Sequence, residues 1–206
     1  ITPSNWSKIG FLKAGFKEEN MIVIPHGVEP SSFYKVDIKS RCHYRKNLGI
    51  HPDDFVLLNI GALTSNKGVD LLVKAYILLK PKYKNLRLLI KDSSNLYGKT
   101  LKDVLSTMAR NELNKNLDFS KLNDVMIISQ NLDVKNLNII YNIADAYVSP
   151  YYGEGFNLPP LEAAACGVPI VVTSGGATDD YFSKIIGLKI DSKMINDSHN
   201  KIYLEP

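Results

Sequence analysis

The residues best suited to chemistry lie in the stretch Ser149-Pro-Tyr-Tyr-Gly-Glu-Gly-Phe-Asn-Leu-Pro-Pro-Leu-Glu162. Glu154 stands there between Gly153 and Gly155, which let the backbone bend and approach a ligand closely. Pro159 and Pro160 follow, and proline is tolerated in a first helical turn, where N–H groups lack intrahelical partners. A helix is therefore expected to begin here, with the N–H groups of Phe156, Asn157 and Leu158 pointing forward. Such a helix end carries partial positive charge and suits a phosphate. Glu162 places a second carboxylate eight residues after Glu154, in the first turns of that helix. On residue types alone, the stretch also fits a sharp strand-to-helix connection with ordinary surface glutamates.

A second stretch has a related layout. Phe55-Val-Leu-Leu-Asn-Ile60 reads as a strand, Gly61-Ala-Leu-Thr-Ser-Asn-Lys67-Gly68 as a turn, and Val69 to Leu79 as a helix. A lysine at a glycine-rich strand-to-helix turn is a phosphate-binding arrangement. The plainer reading of Lys67 is a solvated first-turn residue. A cation at a helix N-terminus is electrostatically disfavoured, so an anionic ligand accounts for it better.

These residues carry a resemblance. Glu154-Gly155-Phe156, Leu158-Pro-Pro-Leu-Glu-Ala163 and Cys166-Gly-Val-Pro169 are similar to the E-x7-E signature of retaining glycosyltransferases of the two-domain GT-B class, the group 1 family. Ile24-Pro-His-Gly-Val28 resembles that family's I-P-N-G-V opening of the second domain, with His26 for the usual asparagine. Gly61 to Gly68 resembles its G-R-x-x-x-E-K-G segment, and Gly175-Gly-Ala-Thr-Asp179 its G-G-x-x-E loop.

The resemblance implies an α/β fold: a doubly wound, Rossmann-like parallel sheet forming the C-terminal half of a GT-B protein. It implies a nucleoside-diphosphate sugar donor, of UDP or GDP type, and transfer with retention. Lys67 and Glu154 would be the catalytic residues. Lys67, Gly61 and the amides of Gly155, Phe156, Asn157 and Leu158 would hold the diphosphate. Glu162 would bind the ribose, Glu154 the sugar, and Leu132 with the main chain after Ser129 the base. Neither cofactor nor metal is implied, and the Asp-x-Asp of metal-dependent transferases is missing. Residues 1–20 would link an acceptor-binding N-terminal domain to a donor-binding domain at 21–206. A helix would follow Pro206, and the protein would be cytoplasmic or peripheral at a membrane.

Two positions depart from the pattern. Ala62 stands where the arginine belongs and Asn66 where the acid precedes the lysine. Losing the arginine removes a fork-shaped phosphate partner that lysine does not replace. The departure keeps open an alternative, a noncatalytic or degenerate nucleotide- or sugar-binding module. For Asp179 the alternative to an acid beside the donor is a plain turn with Thr178 as helix cap.

The elements that must position these groups alternate. Strands are expected at Met21–Ile24, Phe55–Ile60, Leu86–Lys91, Asp124–Ser129, Ala146–Ser149, Pro169–Thr173 and, last, Ile185–Ile190. Helical spacing falls after Ser4 or Asn5, at Ser40–Leu48, Val69–Leu79, Thr100–Leu113 and around Leu137, Ile140, Tyr141 and Ala144. Asn111–Asn123 and Asp191–Asn200 read as polar loops. Strands and helices in alternation, with apolar strands, predict a parallel sheet covered on both faces. Ligands of such sheets bind beyond the carboxyl ends of the strands, so the turns after Gly61, Ser129, Glu154 and Gly175 should meet on one edge.

Composition narrows the classes. The chain has 206 residues, 45% of them hydrophobic, enough for a real core. Its net charge of +4 comes from 25 basic and 21 acidic residues, with no cluster long enough to argue for nucleic acid. Cys42 and Cys166 are too few for a disulfide framework and fit a reducing compartment. No apolar run reaches a membrane span. No G-x-G-x-x-G opens the first helix, which disfavours a dinucleotide oxidoreductase.

Overall fold

The structure, a computed structural model, describes residues 1–196 and 202–205. Its centre is a sheet of six strands, all parallel, in the order β3-β2-β1-β4-β5-β6. The strands are β1 (Phe55–Gly61), β2 (Leu86–Asp92), β3 (Met126–Ile128), β4 (Ala146–Ser149), β5 (Ile170–Thr173) and β6 (Gly187–Ile190). The helices are α1 (Asn5–Lys13), α2 (Ile38–Asn47), α3 (Val69–Leu79), α4 (Ser94–Tyr97), α5 (Leu101–Arg110), α6 (Val134–Asn142), α7 (Leu158–Ala165) and α8 (Asp179–Phe182).

Side chains alternate across β2 and build two cores. Leu88 and Ile90 pack with Val69, Leu72, Val73 and Tyr76 of α3 and Leu101 and Met108 of α5. Leu89 packs on the other face with Ile140 and Tyr141 of α6 and Ala163 of α7. The helices thus cover both faces, as the apolar strands require. From β1 the chain winds outward to β2 and β3, then returns to lay β4 on the other side of β1. The β1/β4 boundary is the topological switch point, where open α/β sheets place their ligand crevice.

Local signals explain the helix starts. The Ser4 side chain accepts from the N–H of Ser7, Asp37 from Ser40, and Asp133 from Asn136. Thr100 and Asp103 form a reciprocal capping box at α5. Arg45, only 4% exposed, ties α2 to the sheet through Asp145 and the carbonyls of Ile143 and Asp54.

Several expected elements differ. Met21–Ile24 makes only a parallel bridge from Val23 to Thr2, and Ile22 and Ile24 are exposed. This apolar run found no sheet edge to join. The strand expected at Asp124–Ser129 shortens to β3, an edge strand with Ile127 exposed rather than buried. The expected polar loop 111–123 contains two 3₁₀ turns, and Leu117, Phe119 and Leu122 pack on the α3/α5 core. β6 is not the last strand: β7 (Lys193–Asn196) pairs antiparallel with β8 (Ile202–Glu205). β7 lies inside the expected loop 191–200, whose residues 197–200 fall outside the described residues. Among the described residues no helix is long and apolar enough to cross a membrane.

Candidate functional site

The turns after β1 and β4 meet at the switch point, backbone against backbone. Gly68 has φ +64°, and a Cβ there would stand 1.8 Å from the Pro150 carbonyl oxygen. Only glycine fits both the left-handed conformation and that approach. Asn66 laces the same turns together. Its carbonyl accepts from Tyr152 N–H at 2.8 Å and Gly153 N–H at 3.3 Å, and its Nδ2 donates to the Gly153 carbonyl at 3.1 Å.

This packing brings Lys67 to Glu154. The Lys67 side chain crosses Gly61, its Cε 3.7 Å from where a Cβ would stand. Its Nζ forms an ion pair with Glu154 Oε1. The Glu154 side chain is 11% exposed, so water screens the pair less than a surface one.

The chain from Gly155 into α7 is held by its carbonyls. Ser4, the cap of α1, and Ser7 within it donate to the Gly155 carbonyl at 2.6 and 2.9 Å. Tyr181 donates to the Asn157 carbonyl at 2.6 Å. In a trans peptide the N–H points opposite the C=O. The N–H groups of Phe156 and Leu158 are thereby turned away from these anchors, and among the described residues neither has a partner. Asn157 adopts φ 65°, a left-handed conformation that asparagine tolerates, and its Nδ2 donates to Ser149 Oγ at 3.1 Å. Phe156 is buried between Tyr181 and His26, with ring centroids 5.2 and 5.1 Å away.

Glu162 faces inward from α7, and the Tyr141 hydroxyl donates to its Oε2. Burial raises the Glu162 carboxyl above its ordinary value, and the Tyr141 hydrogen bond pulls it partly back. Tyr147, on β4, donates to the Ile60 carbonyl at 3.1 Å. Its hydroxyl titrates far above its usual range because of burial, with the charges of Glu154 and Glu162 adding to the rise. Tyr147 thus stands within the field of both carboxylates.

The raised Glu162 value has a consequence for stability. A carboxyl with a raised folded-state value binds its proton more tightly folded than unfolded. Its contribution is complete below the ordinary glutamate range and is lost as pH rises through the raised value. Glu162→Gln is expected to flatten that fall in unfolding free energy, and Tyr141→Phe to extend it to higher pH. Urea unfolding across this window measures both, and identical pH profiles for wild type and Glu162→Gln would contradict the assignment.

The structure therefore brings Gly61, Lys67, Glu154, Gly155, Phe156, Asn157 and Leu158 to one rim, with Glu162 one helical turn below. Leu132 stands apart. It follows β3, two strands from β1, and with Tyr44, Leu48 and Ile139 lines a separate hollow of about 330 Å³. Asp179 accepts from Gly175 N–H at 2.9 Å and pairs with Lys189 at 2.8 Å. Thr178 does not cap α8 through its side chain, which is buried against Tyr151. Cys166 is a buried thiol pushed up to about 12 by burial, then by the Glu162 charge. Among the described residues no three His, Cys, Asp or Glu side chains gather where a metal ion could sit.

Sequence reasoning did not single out Ser4, Ser7, Asn66, Tyr141, Tyr147 or Tyr181 as site residues. Each acts through a contact distant in sequence. The one available signal was the number of tyrosines near the motif, since a buried tyrosine needs a partner for its hydroxyl.

The chain is similar to known proteins of one family. A family model described as glycosyl transferases group 1 matches residues 40–203. A D-inositol 3-phosphate glycosyltransferase of Pseudarthrobacter chlorophenolicus is 29% identical over 178 residues, covering 86% of this chain and 40% of that protein. A crystal structure of Anabaena HepE in complex with UDP-glucose matches with a TM-score of 0.74 at 21% identity, over 93% of this chain and 49% of that one. The C-terminal domain of a group 1 family protein from Francisella tularensis matches with a TM-score of 0.58 at 20% identity, over 80% of each chain. The chain spans less than half the length of the first two. It belongs to the group 1 glycosyl transferases, as the Rossmann-like C-terminal half of their two-domain GT-B fold.

Proposed function

We propose that this chain binds a nucleoside-diphosphate sugar and, within a longer protein, transfers the sugar to an acceptor with retention of configuration. The observation that carries the reading is the meeting of Lys67, Glu154 and the unpartnered amides before α7 at the β1/β4 switch point. Lys67 and the N–H groups of Phe156, Asn157 and Leu158 neutralise charge that grows on the departing diphosphate. Groups already aimed at developing charge stabilise the transition state without reorganising. Glu162, oriented by Tyr141, accepts hydrogen bonds from the ribose hydroxyls. Glu154 contacts the sugar and supports an oxocarbenium-like state. A cradle of lysine and amides holds a diphosphate without a metal or other cofactor.

The similar HepE structure contains UDP-glucose, which supports a UDP-type donor. Residues 1–20 are the linker from a preceding acceptor-binding domain, and the protein works in the cytoplasm or peripherally at a membrane. Calorimetry with UDP and GDP tests the site. Lys67→Ala is expected to weaken binding of the preferred nucleotide at least about tenfold, the scale of a lost charge-assisted hydrogen bond. Absence of binding by either nucleotide, or its loss in a chelator, would overturn the reading.

One observation favours a second reading. Ala62, 9% exposed, is a small buried residue where the family's arginine would reach the phosphates. A degenerate module would bind nucleotide without transfer, and sugar transfer by the longer protein decides between them.

A further inference from the structure

Beside the strand that leads to Ala62 lies a lysine outside the motif. Lys91 is the penultimate residue of β2 and only 8% exposed. It lies beside Ile60 in the β1–β2 register, and Asp92 lies beside Gly61. Leu89 belongs to the α6/α7 core, so strand alternation puts Lys91 on that same face, the face of Glu162 and Tyr141. Its Nζ turns to the Asp92 carbonyl, at the carboxyl end of the strand.

Lys91 is poorly compensated there. An ammonium has three donors and is costly to bury unless it is paired. The other enclosed cations have carboxylates. Arg45 has Asp145, Lys80 has Asp124 and Lys67 has Glu154. Among the described residues no carboxylate pairs with Lys91. The adjacent Asp92 carboxylate is taken by the Ser94 N–H and hydroxyl and by the Ser129 hydroxyl. The amine therefore lacks a counter-anion at the carboxyl end of the strand beside β1.

Its strand ends beside the turn that holds Ala62. Adjacent strands lie about 4.8 Å apart, so the end of β2 stands one strand spacing from Gly61 and Ala62. Lys67 reaches the same strand end over Gly61, from the face opposite Lys91. We infer that Lys91 is a second cation of the diphosphate site, supplying from β2 the positive charge that Ala62 does not supply from the turn after β1. The inference rests on the donor-site reading above. It also removes the main argument for a degenerate module, because the site then keeps two cations.

Lys91→Met tests this, since methionine keeps an unbranched apolar stem and removes the ammonium, its charge together with its bond to the Asp92 carbonyl. Calorimetry with UDP, inorganic pyrophosphate and uridine, with thermal unfolding of the unliganded protein, gives four readings. The variant should bind UDP and pyrophosphate about tenfold or more weakly, bind uridine as wild type does, and unfold at a temperature no lower than wild type. Adding Ala62→Arg to Lys91→Met should recover part of the pyrophosphate affinity. UDP affinity within twofold of wild type, or equal losses for UDP and uridine, would overturn the assignment. A lower unfolding temperature with unchanged pyrophosphate binding would make Lys91 structural and also overturn it. If the wild type binds neither UDP nor pyrophosphate, the donor-site reading falls and this inference with it.

Discussion

Glu154→Gln is expected to lower sugar transfer by the longer protein about 10²–10³-fold, the scale set by removing one preorganised electrostatic contact at a reacting centre. The same substitution should tighten UDP binding. In the unliganded site Glu154 is paired with Lys67, so the carboxylate competes with a diphosphate for that lysine and repels it. Glutamine keeps the shape and removes the competing charge, and an affinity gain of about three- to tenfold follows at the scale of a modest charge interaction. Opposite signs in binding and turnover distinguish this role from general damage, which weakens both. Steady-state kinetics and calorimetry on one preparation provide the comparison. Undiminished transfer would remove Glu154 from the chemistry, and weaker UDP binding would mean that the Lys67–Glu154 pair assists the diphosphate.

Gly68→Ala is expected to destabilise the chain by about 2–4 kcal/mol, combining a left-handed conformation disfavoured for alanine with an overpacking cost. The overpacking is direct, because the new Cβ would stand 1.8 Å from the Pro150 carbonyl oxygen. Gly98 supplies the control. It has φ +65° but nothing within 4 Å of a built Cβ, so Gly98→Ala isolates the conformational part, about 1 kcal/mol. Urea denaturation of both variants measures the difference. Equal losses would show that the two turns are not pressed together at Gly68. Because that contact holds Lys67 at the β1/β4 boundary, Gly68→Ala should displace the lysine and also weaken UDP binding in whatever protein remains folded.

Much of this was legible in the chain because its signals are local. The helix at Val69–Leu79 and the strand at Ala146–Ser149 have the expected bounds, since periodicity and glycine turns act over a few residues. The same locality explains the misses. Met21–Ile24 is as apolar as a core strand, but pairing depends on a neighbour that local sequence does not specify. Asn111–Asn123 is polar on average, yet Leu117 and Phe119 are pulled onto the α3/α5 core. Lys91 read simply as the end of a strand, because burial without a carboxylate partner is a property of the folded surroundings.

The sequence by itself determined the residue types and the backbone that carries them: glycines that bend, prolines that open α7, a lysine in one turn, and two glutamates eight residues apart. Those choices rest on conformational preference and short-range hydrogen bonding, which act within a turn or two. Only the tertiary structure decided which groups face each other. The β1/β4 boundary paired Lys67 with Glu154, the packing of α6 on α7 set Tyr141 on Glu162, and α1 and α8 locked the carbonyls that turn the amides outward. The physical reason is that a parallel sheet gathers distant turns at one edge, and electrostatic and hydrogen-bond contacts act over a few ångströms of space whatever the separation along the chain.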